Sequence, residues 1–160
     1  MLRIYWSLIF SATLLLCSGC QKNSQPDDLP KLYPCIITIT QDGKPLEDAG
    51  VELAAEDQSA AKYRAVTKTD AEGKAVMSTY GHNGAPAGKY KVVVSKKVDD
   101  DFVYGTSSTG DKEIQKYNTY RTVEPKYSDA KTTPHEIEIT GKEKRAEATF
   151  DVGKAIKTRY

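Results

Sequence analysis

A two-residue rhythm of apolar side chains, repeated in short runs and cut by turn residues, constrains this chain most. Cys35-Ile36-Ile37-Thr38-Ile39-Thr40 is β-branched and reads as a strand. Val51 to Ala55, Tyr63 to Thr69 and Ala75 to Tyr80 follow, the first two alternating between faces. Lys89 to Ser95 places Tyr90, Val92 and Val94 on one face, and Ile137 and Ile139 alternate with Glu136 and Glu138. A last run, Ala146-Ala148-Phe150, closes near Val152. Asp42-Gly43 and Asp70-Ala71-Glu72-Gly73 supply turn chemistry between runs, and residues 56–61 and 81–88 read as loops. No segment carries a 3.6-residue stripe. The pattern implies an all-β domain, an antiparallel sandwich or barrel.

The first residues follow another logic. Arg3 gives a basic start, and Ile4 to Leu16 is an apolar run of 13 residues. A membrane span needs about 20, so the length suits the apolar core of a signal peptide. The run ends in Leu16-Cys17-Ser18-Gly19-Cys20, which resembles a bacterial lipobox, with Cys17 where Leu is usual. That resemblance implies cleavage before Cys20, diacylglycerol on its thiol and a durable membrane anchor. The expected division is a signal peptide over 1–19, lipidated Cys20 and a Pro-containing tether over 20–34, a domain over 35–152 and a tail over 153–160. The expected location is extracytoplasmic, lipid-anchored to a bacterial membrane. For a Gram-negative cell the outer membrane is favoured, because Gln21 is not the Asp that marks inner-membrane retention.

Charge excludes some partners. The sequence holds 23 Lys+Arg and 22 Asp+Glu. Arg3 is the one charged side chain in the expected leader, so the remainder is neutral, with no electrostatic footprint for nucleic acid. Three Cys are too few for a disulfide scaffold; with Cys17 removed and Cys20 acylated, Cys35 reads as a small buried hydrophobe.

The ordered motifs resemble a known group. Asp42-Gly43-Lys44-Pro45-Leu46, Ala49-Gly50-Val51 and Thr69-Asp70-Ala71-Glu72-Gly73-Lys74 are similar to carboxypeptidase regulatory-like domains, of the transthyretin-like (prealbumin-like) sandwiches. Ser78-Thr79-Tyr80-Gly81, Gly84 to Val94, Pro125-Lys126-Tyr127-Ser128-Asp129 and Phe150-Asp151-Val152 continue the likeness. Small bacterial lipoproteins of unassigned function look similar throughout. The resemblance implies a single antiparallel Greek-key β-sandwich of about seven strands, Ig/transthyretin-like. It carries little about function, since one fold hosts many.

Physics accounts for most of these motifs without a ligand. Asp42, Gly43, Asp70 and Gly73 suit hairpin turns, and Pro45 suits a position that donates no ladder hydrogen bond. Gly88 lets the chain enter a strand sharply, and Tyr90 is expected to bury its ring and find a partner for its hydroxyl.

Catalytic patterns are missing. Beyond the expected leader there is no His-Glu-x-x-His, no Cys-x-x-Cys, no Gly-x-Ser-x-Gly and no phosphate-cradling loop. His82 and His135 read as exposed loop residues. The His/Arg pattern and C-terminal tetrapeptide of transthyretin-like hydrolases, and the His-x-His spacing of intradiol dioxygenases, are not found. Asp99, Asp100 and Asp101 are weak candidates for Ca²⁺, because adjacent carboxylates usually form a solvated run. Residues 96–122 read as an unusually long loop carrying Phe102, Tyr104, Tyr117 and Tyr120, residue types suited to recognition. The expectation is a non-catalytic lipoprotein without cofactor or metal, held on a membrane and bound to another envelope protein. The alternative is a binding module for carbohydrate or Ca²⁺. An enzyme of the same superfold would require His82 and His135 to converge with Tyr or Arg in one pocket.

Overall fold

The computed structural model describes residues 28–106 and 113–159, apart from the side chains of 58, 59 and 100–117. The expected signal peptide, Cys20 and most of the tether lie outside the described residues. In chain order the strands are β1 (Leu32–Tyr33), β2 (Cys35–Gln41), β3 (Lys44–Pro45), β4 (Gly50–Ala55), β5 (Ala65–Lys68), β6 (Lys74–Val76), β7 (Ser78–Thr79) and β8 (His82–Asn83). They continue as β9 (Ala85–Pro86), β10 (Gly88–Ser95), β11 (Lys97–Thr106), β12 (Glu113–Arg121), β13 (Glu136–Ile139), β14 (Ala146–Asp151) and β15 (Thr158–Arg159). Among the described residues helix is confined to single turns at Gln58–Ala61, inside the expected 56–61 loop, and Pro125–Ser128, a 3₁₀ turn. The protein is all-β. Among the described residues no helix is long and apolar enough to cross a membrane.

Two sheets enclose the core. The larger runs β13-β10-β4-β5-β7-β8. In the smaller, β2 is flanked by β14 on one side and by β3 and β6 at different ends of the other. Period-two alternation becomes burial: Cys35, Ile37 and Ile39 of β2 face Val51, Leu53, Ala65, Tyr90, Val92, Val94 and Ile139 of the larger sheet. Each of these is at most 2% exposed, whereas Ile36, Thr38 and Thr40 between them are half-buried on the outer face. Burying such side chains contributes roughly 1.5–3 kcal/mol each.

The sheet differs from the expected uniformly antiparallel pattern in one pair. β14 runs parallel to β2, with Ala146 opposite Cys35 and Asp151 opposite Thr40. The run Ala75–Tyr80 is not one strand. β6 pairs with β2 in the smaller sheet, and β7 pairs with β5 and β8 in the larger. The chain changes sheet at Met77, which is fully buried and whose N–H donates to the Cys35 carbonyl at 3.0 Å.

Residues 96–122 also depart from expectation, since they are not a loop. β11 and β12 form a long antiparallel ribbon, with β15 from the expected tail as its third strand. The ribbon leaves the sandwich at a stitched base. Thr122 N–H donates to the Lys96 carbonyl (3.1 Å), Gln41 Nε2 to the Thr122 carbonyl (2.9 Å), Lys96 Nζ to the Glu47 carbonyl (2.7 Å) and Ile156 N–H to the Thr122 carbonyl (3.0 Å).

Candidate functional site

The ribbon and the point of chain entry occupy opposite ends of the sandwich. The chain enters along β1, which pairs with β9, and starts β2 at Cys35. The ribbon is anchored beside Gln41, at the other end of β2. Seven extended residues separate the two, a rise of about 20 Å.

Register decides which ribbon aromatics come together. Up to Asp100 the pairs are Val98↔Tyr120, Asp99↔Thr119 and Asp100↔Asn118. An irregularity between Asp100 and Phe102 leaves Asp101 as an extra residue, and Phe102 then pairs with Tyr117 and Tyr104 with Gln115. Such a bulge shifts the pleat by one position. Register therefore sets position 102 opposite 117 and 104 opposite 115, while Thr119 and Tyr120 fall on different faces of β12. Lys157 Nζ lies 4.6 Å from the centre of the Tyr120 ring.

The three aspartates lie on a strand, not in a flexible loop, and Asp101 is the extra residue of its irregularity. Asp99 accepts a hydrogen bond from Thr119 Oγ1 at 2.7 Å. Among the described residues no group of three or more His, Cys, Asp and Glu side chains is arranged to hold a metal ion.

The two histidines lie far apart. His82 is on β8 and His135 directly precedes β13, and these strands are the two edges of the six-stranded sheet. Five inter-strand steps put the edges about 24 Å apart. His135 is not an exposed loop residue. Its ring is half-buried between Tyr127, stacked at 5.1 Å with planes 13° apart, and Phe150, tilted at 4.7 Å. His135 Nε2 lies 3.0 Å from the Asp151 carbonyl oxygen, which fits the tautomer with its proton on Nε2. Burial pushes the imidazole below its usual pKa; the Asp151 carbonyl opposes this and the nearby Lys126 ammonium adds to it. The Asp151 carboxyl is held below its usual value, first by Thr40 Oγ1 (2.8 Å) and then by Gly153 N–H (2.7 Å).

The motif residues serve the backbone. Asp42 and Gly43 both take positive φ, +52° and +71°, and Asp42 Oδ2 accepts from Ala155 N–H at 3.0 Å. Pro45 is exposed on β3, a two-residue edge strand. Asp70 Oδ1 accepts from Glu72 N–H (3.0 Å) and Lys74 N–H (2.8 Å). Gly73, at φ +74°, leaves no room for a side chain, since a Cβ would sit 2.5 Å from the Ile39 carbonyl oxygen. Tyr90 is 1% exposed, donates to the Pro86 carbonyl at 2.8 Å and has its hydroxyl pushed up to about 12 by burial. Gly88 makes space for that ring: a Cβ there would lie 3.4 Å from it. Cys35 is 1% exposed, and burial pushes its thiol up to about 11, far from thiolate character at neutral pH.

Two surface hollows were not foreseen. One, of about 170 Å³, opens at the β13 edge and is lined by Glu56, Lys89, Glu136 and Glu138 over Tyr90 and Ile137. The other, of about 430 Å³, lies on the outer face of the smaller sheet among Ile36, Thr38, Lys74, Arg145, Glu147 and Thr149. A neighbouring hollow of about 560 Å³ adds Pro34 and Lys144 to its Arg145 and Glu147. Alternation marked these residues only as outward-facing. Which of them meet depends on the pairing of β2 with β6 and β14.

No family model matches the sequence, and no curated protein does. Among solved structures the chain is similar to the crystal structure of a 9R-lipoxygenase from Cyanothece PCC8801, at 14% identity and a TM-score of 0.33. The match covers 82% of this chain and 18% of the lipoxygenase, so the chain spans under a fifth of that protein's length, and a likeness this slight carries no argument.

Proposed function

We propose that this chain is a non-catalytic lipoprotein of the bacterial envelope, anchored through Cys20, whose carboxypeptidase regulatory-like sandwich presents a β-ribbon to a partner protein. One observation carries the reading: chain entry and ribbon base sit at opposite ends of β2. A lipid at Cys20 would hold the entry end near the membrane and direct the ribbon away from it. The separation of His82 from His135 weighs against a His-dependent hydrolase or dioxygenase site.

The anchor is tested by replacing Cys20 with Ala and fractionating cells. Release of the protein from membranes is expected, and continued retention refutes the lipid. Presentation is tested by affinity capture from native membranes with the intact chain and with a chain whose residues 98–120 are replaced by a short Gly-Ser turn. A partner held equally by both is not bound through the ribbon.

A second reading is a carbohydrate-binding module. It is favoured by the register that sets Phe102 opposite Tyr117 across the ribbon, since aromatic rings stack on sugar rings. A glycan array without a hit removes it. Ca²⁺ binding has less support once the aspartates are on a strand, and a thermal shift on adding Ca²⁺ would restore it.

A further inference from the structure

Two hollows, one at the β13 edge of the larger sheet and one on the outer face of the smaller sheet, carry opposite charge, and they share no residue. The β13 hollow holds three carboxylates, Glu56, Glu136 and Glu138, against Lys89 and, beside it, Lys91, which acts on Glu136 and Glu56; a net negative charge remains. The trough on the smaller sheet and its neighbour hold three cations, Lys74, Lys144 and Arg145, against one carboxylate, Glu147. Two internal pairs are already made, Lys91 with Glu136 and Arg145 with Glu147. Among the described residues, Glu56 and Glu138 in the hollow and Lys74 and Lys144 in the trough make no ion pair, and all four are exposed.

The register shows how these charges are displayed. Ala146 N–H is spent on the Pro34 carbonyl and Val152 N–H on the Thr40 carbonyl, so β14 turns alternate amides, at Glu147, Thr149 and Asp151, to its open edge. Near one end of that edge His135 covers the Asp151 carbonyl. β13 is the corresponding open edge of the larger sheet, and its exposed positions are both acidic, Glu136 and Glu138. The trough floor is not wholly polar, since Ile36 lies beside Val76, which is 48% exposed.

We propose that the occupant of the basic trough is a second copy of this chain, seated by its acidic β13 edge, with Glu56 and Glu138 of one copy facing Lys74 and Lys144 of the other. Both surfaces lie where β2 begins, β10 begins and β13 ends, the end at which the chain enters the sandwich. Copies held side by side therefore present them at the same height. Each copy keeps one surface free after the first contact, so the interface is head-to-tail and builds an open row rather than a closed pair. Exposed charges steer and orient more than they bind, so the contact is weak in dilute solution and needs copies confined together. The proposal rests on the membrane anchoring proposed above, whose own failure would show as protein missing from the membrane fraction, and not on the ribbon's partner.

The test is zero-length carbodiimide cross-linking of the full chain in membranes, which joins a carboxylate to a lysine only where they touch. A ladder of dimers and higher species is expected, with the junction mapped by mass spectrometry to Glu56 or Glu138 and Lys74 or Lys144. Raising salt to about 0.5 M shortens electrostatic reach to a few ångströms and reduces the ladder about fivefold or more. The double variants E56K/E138K and K74E/K144E each lose it. An equal mixture of the two regains it, because every hollow then meets a trough of opposite sign. Should a double variant fail to fold, judged by circular dichroism, the single variants E138K and K144E replace the pair. The proposal is overturned by a wild-type chain that stays monomeric, by junctions mapping elsewhere, by a mixture that fails to recover, or by a trough cross-linked only to a different acidic protein.

Discussion

Tyr127 and His135 stack with ring centroids 5.1 Å apart and planes 13° from parallel, and so join the 3₁₀ turn to the edge of the larger sheet. Phe150 closes the other side of the imidazole, which ties the smaller sheet into the same contact. This seam is titratable. Burial holds His135 below its ordinary value of 6.5, so the folded chain resists a proton that the unfolded chain accepts. Stability is therefore expected to fall as pH drops from 7 through 6.5 and to level off once the folded-state value is passed. In His135→Gln the amide can still donate to the Asp151 carbonyl but cannot titrate. Melting temperature followed from pH 7.5 to 5 should slope for the wild type and flatten for the variant, and parallel curves would remove His135 as the cause.

Two glycines with nearly equal φ make a controlled comparison. At Gly43 (φ +71°) an added Cβ would have nothing within 4 Å, whereas at Gly73 (φ +74°) it would stand 2.5 Å from the Ile39 carbonyl oxygen. Gly43→Ala is expected to cost about 1 kcal/mol from backbone conformation alone. Gly73→Ala adds a steric clash and is expected to cost at least about 3 kcal/mol, because a strand carbonyl must move. Urea titration of both variants measures the difference, and equal midpoints would contradict it.

The buried hydroxyl of Tyr90 makes a hydrogen bond whose loss is readable. Tyr90→Phe keeps the ring against Gly88 and removes the donor to the Pro86 carbonyl. A buried carbonyl left unpaired costs about 1–3 kcal/mol. Chemical denaturation should show a lower midpoint with an unchanged slope.

The ribbon should open independently of the sandwich. Among the described residues β11 pairs on one side only, and β12 finds just two further partners, Arg159 and Thr158. Two-stranded ribbons are marginal in water, whereas β2, β4 and β10 lie between neighbours over a common core. Hydrogen exchange is expected to be faster in β11 and β12 than in β2 and β10 by about a hundredfold or more. Uniform protection would make the ribbon part of the same cooperative unit.

The sequence revealed the strands wherever alternation reflects one buried face. Tyr90, Val92 and Val94 are 1%, 0% and 0% exposed, and Cys35 and Ile37 follow the same rule. The sheet change at Met77 was hidden because alternation reports which side is buried, not which neighbour a strand pairs with. The ribbon was hidden for a related reason. Lys97–Thr106 carries Asp99, Asp100 and Asp101 in a row, so it lacks the apolar rhythm by which strands are recognised. His135 looked exposed beside Pro134 and Glu136, since its burial comes from Tyr127 and Phe150, which only the folded chain brings close.

The parallel pairing of β2 with β14 also sets an order of events. Thr40 and Asp151 are 111 positions apart, yet they share a hydrogen bond in adjacent strands. Until residue 151 has been synthesised, one flank of β2 has no strand to pair with, and Ile37 and Ile39 lack the neighbours Ala148 and Phe150. Closing so long a loop is entropically slow. A nascent chain with this topology keeps the smaller sheet open until residue 151 has been made, and then completes it in one step.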